Sequence, residues 1–278
     1  MNVLERDQMV NSAYHQKYFR PSCLKALNLR FDTRNFFSPY DYKTHDQIEL
    51  PTELTKTPED TLLNYFSILR EAVNMGERSC GSVGHGDRPF PIAYSFLSKA
   101  YQKELSYNDY FSSFAGIKHT SLIKIYQVPD VKQGIRFFYE IETIEGLGGK
   151  RAEYFGYSYG FIQLVYEKGS FRISDLNKIE EDFLCAPYHG WSYEGEAVVE
   201  TKYGKWCKLI KKMYPTIKNK SIKSIYFDGN DGANYCFIFF TLTNGTDVEI
   251  AQFRKLGNEK WKLVKMKPEK ECITENLG

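Results

Sequence analysis

Hydrophobic residues at helical spacing predict an amphipathic helix over residues 57–76. Leu62, Phe66 and Leu69 recur on one face of this segment, the spacing of a helix that buries one stripe. Its first four residues are threonine, proline, glutamate and aspartate. They supply a capping hydroxyl, a proline suited to the first turn and two acids near the positive end of the helix dipole.

Two further helices are predicted before the period of the pattern changes. Residues 92–103 carry apolar side chains on one helical face, and we expect one continuous helix there. Ser106 is followed three residues later by Asp109, which is a capping-box spacing. This pair predicts a third, short helix that buries Tyr110.

Alternation with a period of two then indicates an antiparallel sheet. We predict four strands, at 120–128, 134–145, 154–166 and 169–176. Gly156 and Gly160 lie inside the third strand, and interior glycines favour a bulge or a sharp bend. A strongly curved sheet follows from that interpretation.

The C-terminal part of the chain has the pattern of one long helix and a β-meander. Val199, Tyr203, Trp206 and Ile210 fit a helix over 196–214. The strands predicted after it are 222–227, 235–243, 247–254 and 260–266, with an Asn-Gly hairpin turn at 244–245.

Residues 57–183 resemble the nuclear-transport-factor-two-like superfamily. The resemblance is carried by Asn64-Tyr65-Phe66 in the first helix, by Phe96-Leu97-Ser98 in the second, and by the closing strand Ser-Phe-Arg-Ile-Ser-Asp at 170–175. It implies a cone, in which a curved sheet wraps around helices and leaves a pocket. The meander domain is then interpreted as a reduced copy of the same unit.

The predicted fold class is α+β, with helices packed on a strongly curved, cone-like antiparallel sheet. We expect an N-terminal extension over 1–56, the cone-like domain over 57–183, and a helix-plus-meander domain over 184–278. A chain of 278 residues is long enough for two domains with cores of their own.

Composition narrows the classes of function. Hydrophobic residues make up 42% of the chain and the net charge is +2, so bulk charge gives no reason to expect nucleic acid as a partner. No apolar run is long enough to span a membrane and no signal-peptide pattern is seen, which predicts a cytoplasmic protein. The six cysteines are scattered singly and are expected to be free thiols.

The familiar catalytic and cofactor motifs are not found in the sequence. The glycine-rich loop within 76–91 follows a helix instead of a strand and does not end in Gly-Lys-Ser/Thr, so a phosphate loop is disfavoured. Cys80 with His85 and Cys185 with His189 do not have the spacing of paired zinc ligands. We therefore predict no metal and no cofactor.

Candidate ligand-binding residues follow from the resemblance, because some enzymes of that superfamily use a His–Asp or Asp–Tyr arrangement inside the cone. His119, at the start of the first strand, and Tyr139 and Tyr154 within the sheet are the candidates for the cavity. His85 and Asp87 are candidates from the loop at its mouth.

Three functions stay open at this point. The high aromatic content, 16% with 21 tyrosines, and the missing catalytic motifs favour a non-catalytic module that binds a small ligand or a protein. The first alternative is a small-molecule enzyme of the dehydratase or isomerase type that uses the same cavity. The second is a scaffold of an envelope or transfer complex.

Overall fold

The computed structural model describes residues 25–30, 33–74, 85–129, 134–146, 154–181 and 190–272. These residues form two compact units, the first within 24–181 and the second within 182–278. Each is an α+β unit built on an antiparallel sheet, and neither sheet is strongly curled. The α+β class is confirmed, whereas the strong curvature predicted from the sequence is not found.

The helices of the first unit precede its sheet. They are α1 (Thr33–Phe36), α2 (Pro58–Arg70), α3 (Pro89–Tyr94), α4 (Lys99–Glu104) and α5 (Tyr107–Ser112), with single 3-10 turns at Ser38–Tyr40 and Thr52–Thr55. Thr57 accepts a hydrogen bond from the backbone N–H of Asp60, and Ser106 accepts one from that of Asp109. The helix starts predicted at Thr57 and Ser106 are confirmed.

Two helix ends differ from the predictions because backbone groups find partners elsewhere. Helix α2 stops at Arg70, and the N–H of Val73 donates instead to the carbonyl of Gly86. The helix predicted over 92–103 is two helices, α3 and α4. Between them Leu97 forms a bridge to Ile173, and Ser98 caps α4 by accepting from the N–H of Tyr101.

The first sheet has the order β1-β2-β3-β4, with β5 paired to β3. Its strands are β1 (Ile117–Val128), β2 (Ile135–Glu145), β3 (Tyr154–Glu167), β4 (Ser170–Leu176) and β5 (Ile179–Glu180). The β2–β3 register runs unbroken past Gly156 and Gly160, so the bulge predicted there is wrong. A Cβ on Gly160 would lie 1.9 Å from the carbonyl oxygen of Asn177, which shows that this glycine permits a close approach of two chain segments.

Residues before 57 belong to the core of the first unit. The side chain of Asn28 donates to the carbonyls of Phe66 and Thr120, at 2.9 and 3.0 Å. Phe37 and Ile48 are buried in the same core. This part of the predicted extension therefore ties α2 to β1.

The second unit contains α6 (Gly195–Val199), a π-helical segment (Glu200–Trp206) and α7 (Pro268–Glu271), with a 3-10 turn at Trp191–Tyr193. Its sheet has the order β11-β10-β9-β8-β6, with β7 paired to β8. The strands are β6 (Ile210–Met213), β7 (Ile217–Asn219), β8 (Ile222–Gly229), β9 (Ala233–Thr241), β10 (Asp247–Leu256) and β11 (Lys262–Val264). The helix predicted over 196–214 thus ends at Trp206, because residues 210–213 pair with β8.

The cysteines do not all remain free thiols. Cys207 and Cys272 form a disulfide that links the end of the π-helical segment to the residue after α7, which corrects the prediction. Cys236 is a buried free thiol, while Cys23, Cys80 and Cys185 lie outside the described residues.

Candidate functional site

A cavity of about 240 Å³ lies between the helices and the sheet of the first unit. Its walls come from α2, α4, α5, β1 and β2, together with the segment that follows β4. The lining residues are Tyr65, Phe66, Leu69, Leu97, Tyr101, Leu105, Tyr110, Ser113, Phe114, Ile117, Thr120, Tyr139, Ile141, Thr143, Leu176 and Lys178.

The helical wall follows directly from the spacing of apolar residues in α2. Tyr65, Phe66 and Leu69 lie one turn apart or adjacent on the buried side and all are 2% exposed. The ring centroids of Phe66 and Tyr139 are 5.5 Å apart. The stripe that packs α2 onto the sheet therefore also forms one wall of the cavity.

The sheet wall is set by the alternation of side chains along β2. Tyr139, Ile141 and Thr143 face the cavity. Gly160 lies opposite Tyr139 in the register. The close approach that this glycine permits brings the carbonyl of Asn177 near the Tyr139 ring. The Tyr139 hydroxyl donates a hydrogen bond to that carbonyl at 2.9 Å. The Tyr139 ring is thereby fixed as part of the wall.

Four tyrosine hydroxyl groups are the main polar feature of the cavity. Tyr101 donates to the carbonyl of Leu176 at 3.3 Å, and Tyr110 donates to the hydroxyl oxygen of Tyr65 at 3.3 Å. Burial raises the pKa of Tyr65, Tyr110, Tyr139 and Tyr101 above the usual value. All four phenols are therefore uncharged at neutral pH and act as hydrogen-bond donors or acceptors.

The lining contains no histidine and no carboxylate side chain among the residues that the structure describes. Its only charged side chain there is Lys178, which is exposed. A general base must lie within hydrogen-bond reach of the substrate. The arrangement can bind and orient a molecule, and its described lining offers hydroxyl groups and one lysine as polar groups.

Tyr139 is the one predicted site residue that lines the cavity. His119 lies on β1 beside Thr120 but is not part of the lining. Desolvation, together with the nearby charge of Arg70, lowers the pKa of His119, so its imidazole is mainly uncharged at neutral pH. Tyr154 is 59% exposed and donates to a carboxylate oxygen of Glu145 at 3.3 Å.

The two predicted loop residues also lie away from the cavity lining. The His85 ring packs against Phe37, with centroids 4.4 Å apart, and its backbone N–H donates to the Glu71 carbonyl. Asp87 is exposed, and its carbonyl accepts from the N–H of Phe90 at the start of α3. In the described structure these residues shape the chain before α3.

Sequence reasoning missed Tyr65, Tyr101 and Tyr110 as site residues. Each lies on the apolar face of a helix, where a tyrosine is expected to be a core residue. The signal that could have found them is their number. Two buried phenols and one partly buried phenol on neighbouring helices need partners for their hydroxyl groups.

A second depression, more open and of about 440 Å³, lies in the second unit. Tyr214, Ile217, Tyr226 and Trp261 contribute to its lining.

In the part of the chain that is described, no three histidine, cysteine, aspartate or glutamate residues gather as a metal site would require. Among the same residues no helix has the length and apolar character needed to cross a membrane.

Comparisons of the chain with protein-family models, with curated proteins and with solved structures find no match.

Proposed function

We propose that the first unit is a non-catalytic binding module whose cavity holds a small, mostly apolar molecule. The observation that carries this proposal is the cavity itself, which is walled by apolar and tyrosine side chains on both sides. Ligand pockets are usually of this kind, apolar with a few polar groups that fix orientation. At about 240 Å³ the cavity is smaller than the roughly 300–1,000 Å³ typical of drug-sized ligands, which supports a small molecule as its occupant.

The absence of a histidine or carboxylate from the described lining favours this function over the dehydratase or isomerase alternative. The order of elements, helices followed by an antiparallel sheet with the cavity between them, supports the further proposal of a distant relationship to the nuclear-transport-factor-two-like superfamily. The cytoplasmic location stays a prediction, and the Cys207–Cys272 disulfide is a feature more common in oxidising compartments.

The test is binding of fluorobenzene, followed by ¹⁹F NMR, to the wild type and to Ile141→Phe. Ile141 is 6% exposed and lines the cavity, so the larger side chain fills space that the probe would use, at a tolerable cost in stability. We expect the wild type to bind and Ile141→Phe to lose binding.

The matched control is Ile179→Phe, the same change at a residue that is 41% exposed in β5. This variant should bind fluorobenzene as the wild type does. Binding that is equal in all three proteins, or absent from the wild type, would refute the proposed cavity.

A further inference from the structure

The Tyr65–Tyr110 pair carries one hydroxyl proton more than the hydrogen bond between its two oxygens can hold. Tyr65 and Tyr110 are 2% and 3% exposed, and their hydroxyl oxygens lie 3.3 Å apart. Two neutral phenols carry two protons, and only one can lie between the two oxygens. Among the described residues no other hydrogen-bond partner of either hydroxyl is found, so the second proton is left without an acceptor.

The other two phenols of the cavity differ in this respect. The hydroxyls of Tyr101 and Tyr139 donate to the backbone carbonyls of Leu176 and Asn177. The protons of these two hydroxyls therefore already have acceptors. Among the four phenols of the cavity, the free donor lies at one place, between Tyr65 of α2 and Tyr110 of α5.

A buried donor without an acceptor costs free energy, and an acceptor brought by a ligand removes that cost. The acceptor should be uncharged, because a buried anion without a close cation is strongly disfavoured. Lys178, the charged residue of the lining, is exposed and stays hydrated.

We propose that the cavity selects a small, uncharged, mostly apolar molecule with one carbonyl or hydroxyl oxygen, and that this oxygen accepts a hydrogen bond from the Tyr65–Tyr110 pair. This inference rests on the proposed function, because it names the class of ligand for the same cavity.

The experiment compares three probes of similar shape in the full-length chain. Acetophenone has the carbonyl acceptor, α-methylstyrene replaces that oxygen by a CH₂ group, and benzoate carries a negative charge. The Kd of each is measured by NMR titration for the wild type and for the double variant Tyr65→Phe/Tyr110→Phe. The variant keeps both rings and removes both hydroxyls.

We expect the ratio of the α-methylstyrene Kd to the acetophenone Kd to fall by about 2- to 10-fold in the double variant, the effect of one neutral hydrogen bond. Benzoate should bind the wild type most weakly of the three. The control is Tyr94→Phe, because the buried Tyr94 hydroxyl donates to the Leu105 carbonyl at 2.8 Å and lies outside the lining. It should leave the ratio unchanged.

Infrared absorption of bound ¹³C-carbonyl acetophenone gives a second measurement that needs only the wild type. The stretching band should lie below its position in an alkane solvent, as for a hydrogen-bonded carbonyl. A band at the alkane position, an unchanged Kd ratio, or tightest binding by benzoate would overturn the inference while leaving the binding module intact. Failure of all three probes to bind would overturn the inference, and failure of fluorobenzene as well would overturn both proposals.

Discussion

The two units use the same layers, helix on antiparallel sheet, but differ in what occupies the space between the layers. In the second unit, Gly195 of α6 lies so close to the sheet that a Cβ there would be 3.0 Å from the ring of Phe239. Tyr203 then reaches the sheet with its ring centroid 4.5 Å from that of Phe237. The space between helix and sheet in this region is filled by aromatic rings.

In the first unit, α2 contains no glycine and meets the sheet with large side chains. Tyr65 and Phe66 occupy the helix face, and Tyr139 rises from β2 to meet Phe66. These large side chains meet between the two layers, and the cavity lies beside them. The difference teaches that a stripe of aromatic residues can either fill a core or form the wall of a cavity, depending on what the facing elements place opposite it.

The largest expected effect is on the filled core. Phe237 is fully buried and packs against Tyr203, Phe227 and Tyr235, so Phe237→Ala should lower the free energy of unfolding by about 3–5 kcal/mol. Phe66→Ala should fall at the lower end of that range, about 3 kcal/mol, because Phe66 already borders empty space. Urea unfolding monitored by hydrogen exchange would give both values. Equal losses of unfolding free energy in the two variants would contradict the comparison.

The disulfide should stabilise one unit alone. Cys207 and Cys272 are 65 residues apart in sequence, and closing a loop of this size typically contributes about 2–4 kcal/mol. Dithiothreitol should therefore lower the unfolding free energy of the second unit. The first unit, which has no cysteine among its described residues, is the internal control, and an equal loss there would refute the assignment.

Local signals in the sequence predict much of the fold. The cap at Thr57 begins α2. The alternation over 134–145 matches β2. The Asn-Gly turn predicts the β9–β10 hairpin, where Gly245 has a φ of +89°, a conformation that glycine adopts without strain.

What the sequence does not reveal depends on partners distant in the chain. The spacing of Ile210 and Met213 fits a helical stripe and also a strand. They form a strand because Ile210 pairs with Gly229 and Met213 pairs with Phe227 in the sheet. In the same way, Tyr65 has the pattern of a core residue whether it faces a packed sheet or a cavity. Its role depends on the positions of α5 and β2, which periodicity does not specify.

A smaller effect concerns the helix starts. Thr57 caps α2 through its side chain, whereas Glu194 makes no side-chain cap for α6 and the N–H of Gly195 donates to Asp247 at 2.8 Å. Thr57→Ala should cost about 1 kcal/mol of stability, while Glu194→Ala should cost almost nothing. Thr57→Ser, which keeps the hydroxyl, is the control, and thermal unfolding of the three variants is the measurement.

The smallest expected effect is a difference in pH dependence between two carboxyl groups. Hydrogen bonds from Thr57 and Arg30 lower the pKa of Asp60 in the first unit. Burial raises the pKa of Glu249 in the second, although Gln252 opposes the shift. Asp60 therefore contributes stability that is present above its unfolded pKa of about 3.9 and is lost as pH falls through the folded value.

Glu249 should show the opposite sign. Its contribution is fully present below the unfolded pKa of about 4.3 and is lost as pH rises through the raised folded value. Glu249→Gln should therefore become more stable relative to the wild type as pH increases from 4 towards neutrality. Asp60→Asn should become less stable relative to the wild type as pH increases from 2 to 5. Unfolding free energies measured across both ranges check the signs, and slopes of the same sign would show that the two carboxyls do not sit in the contrasting environments described.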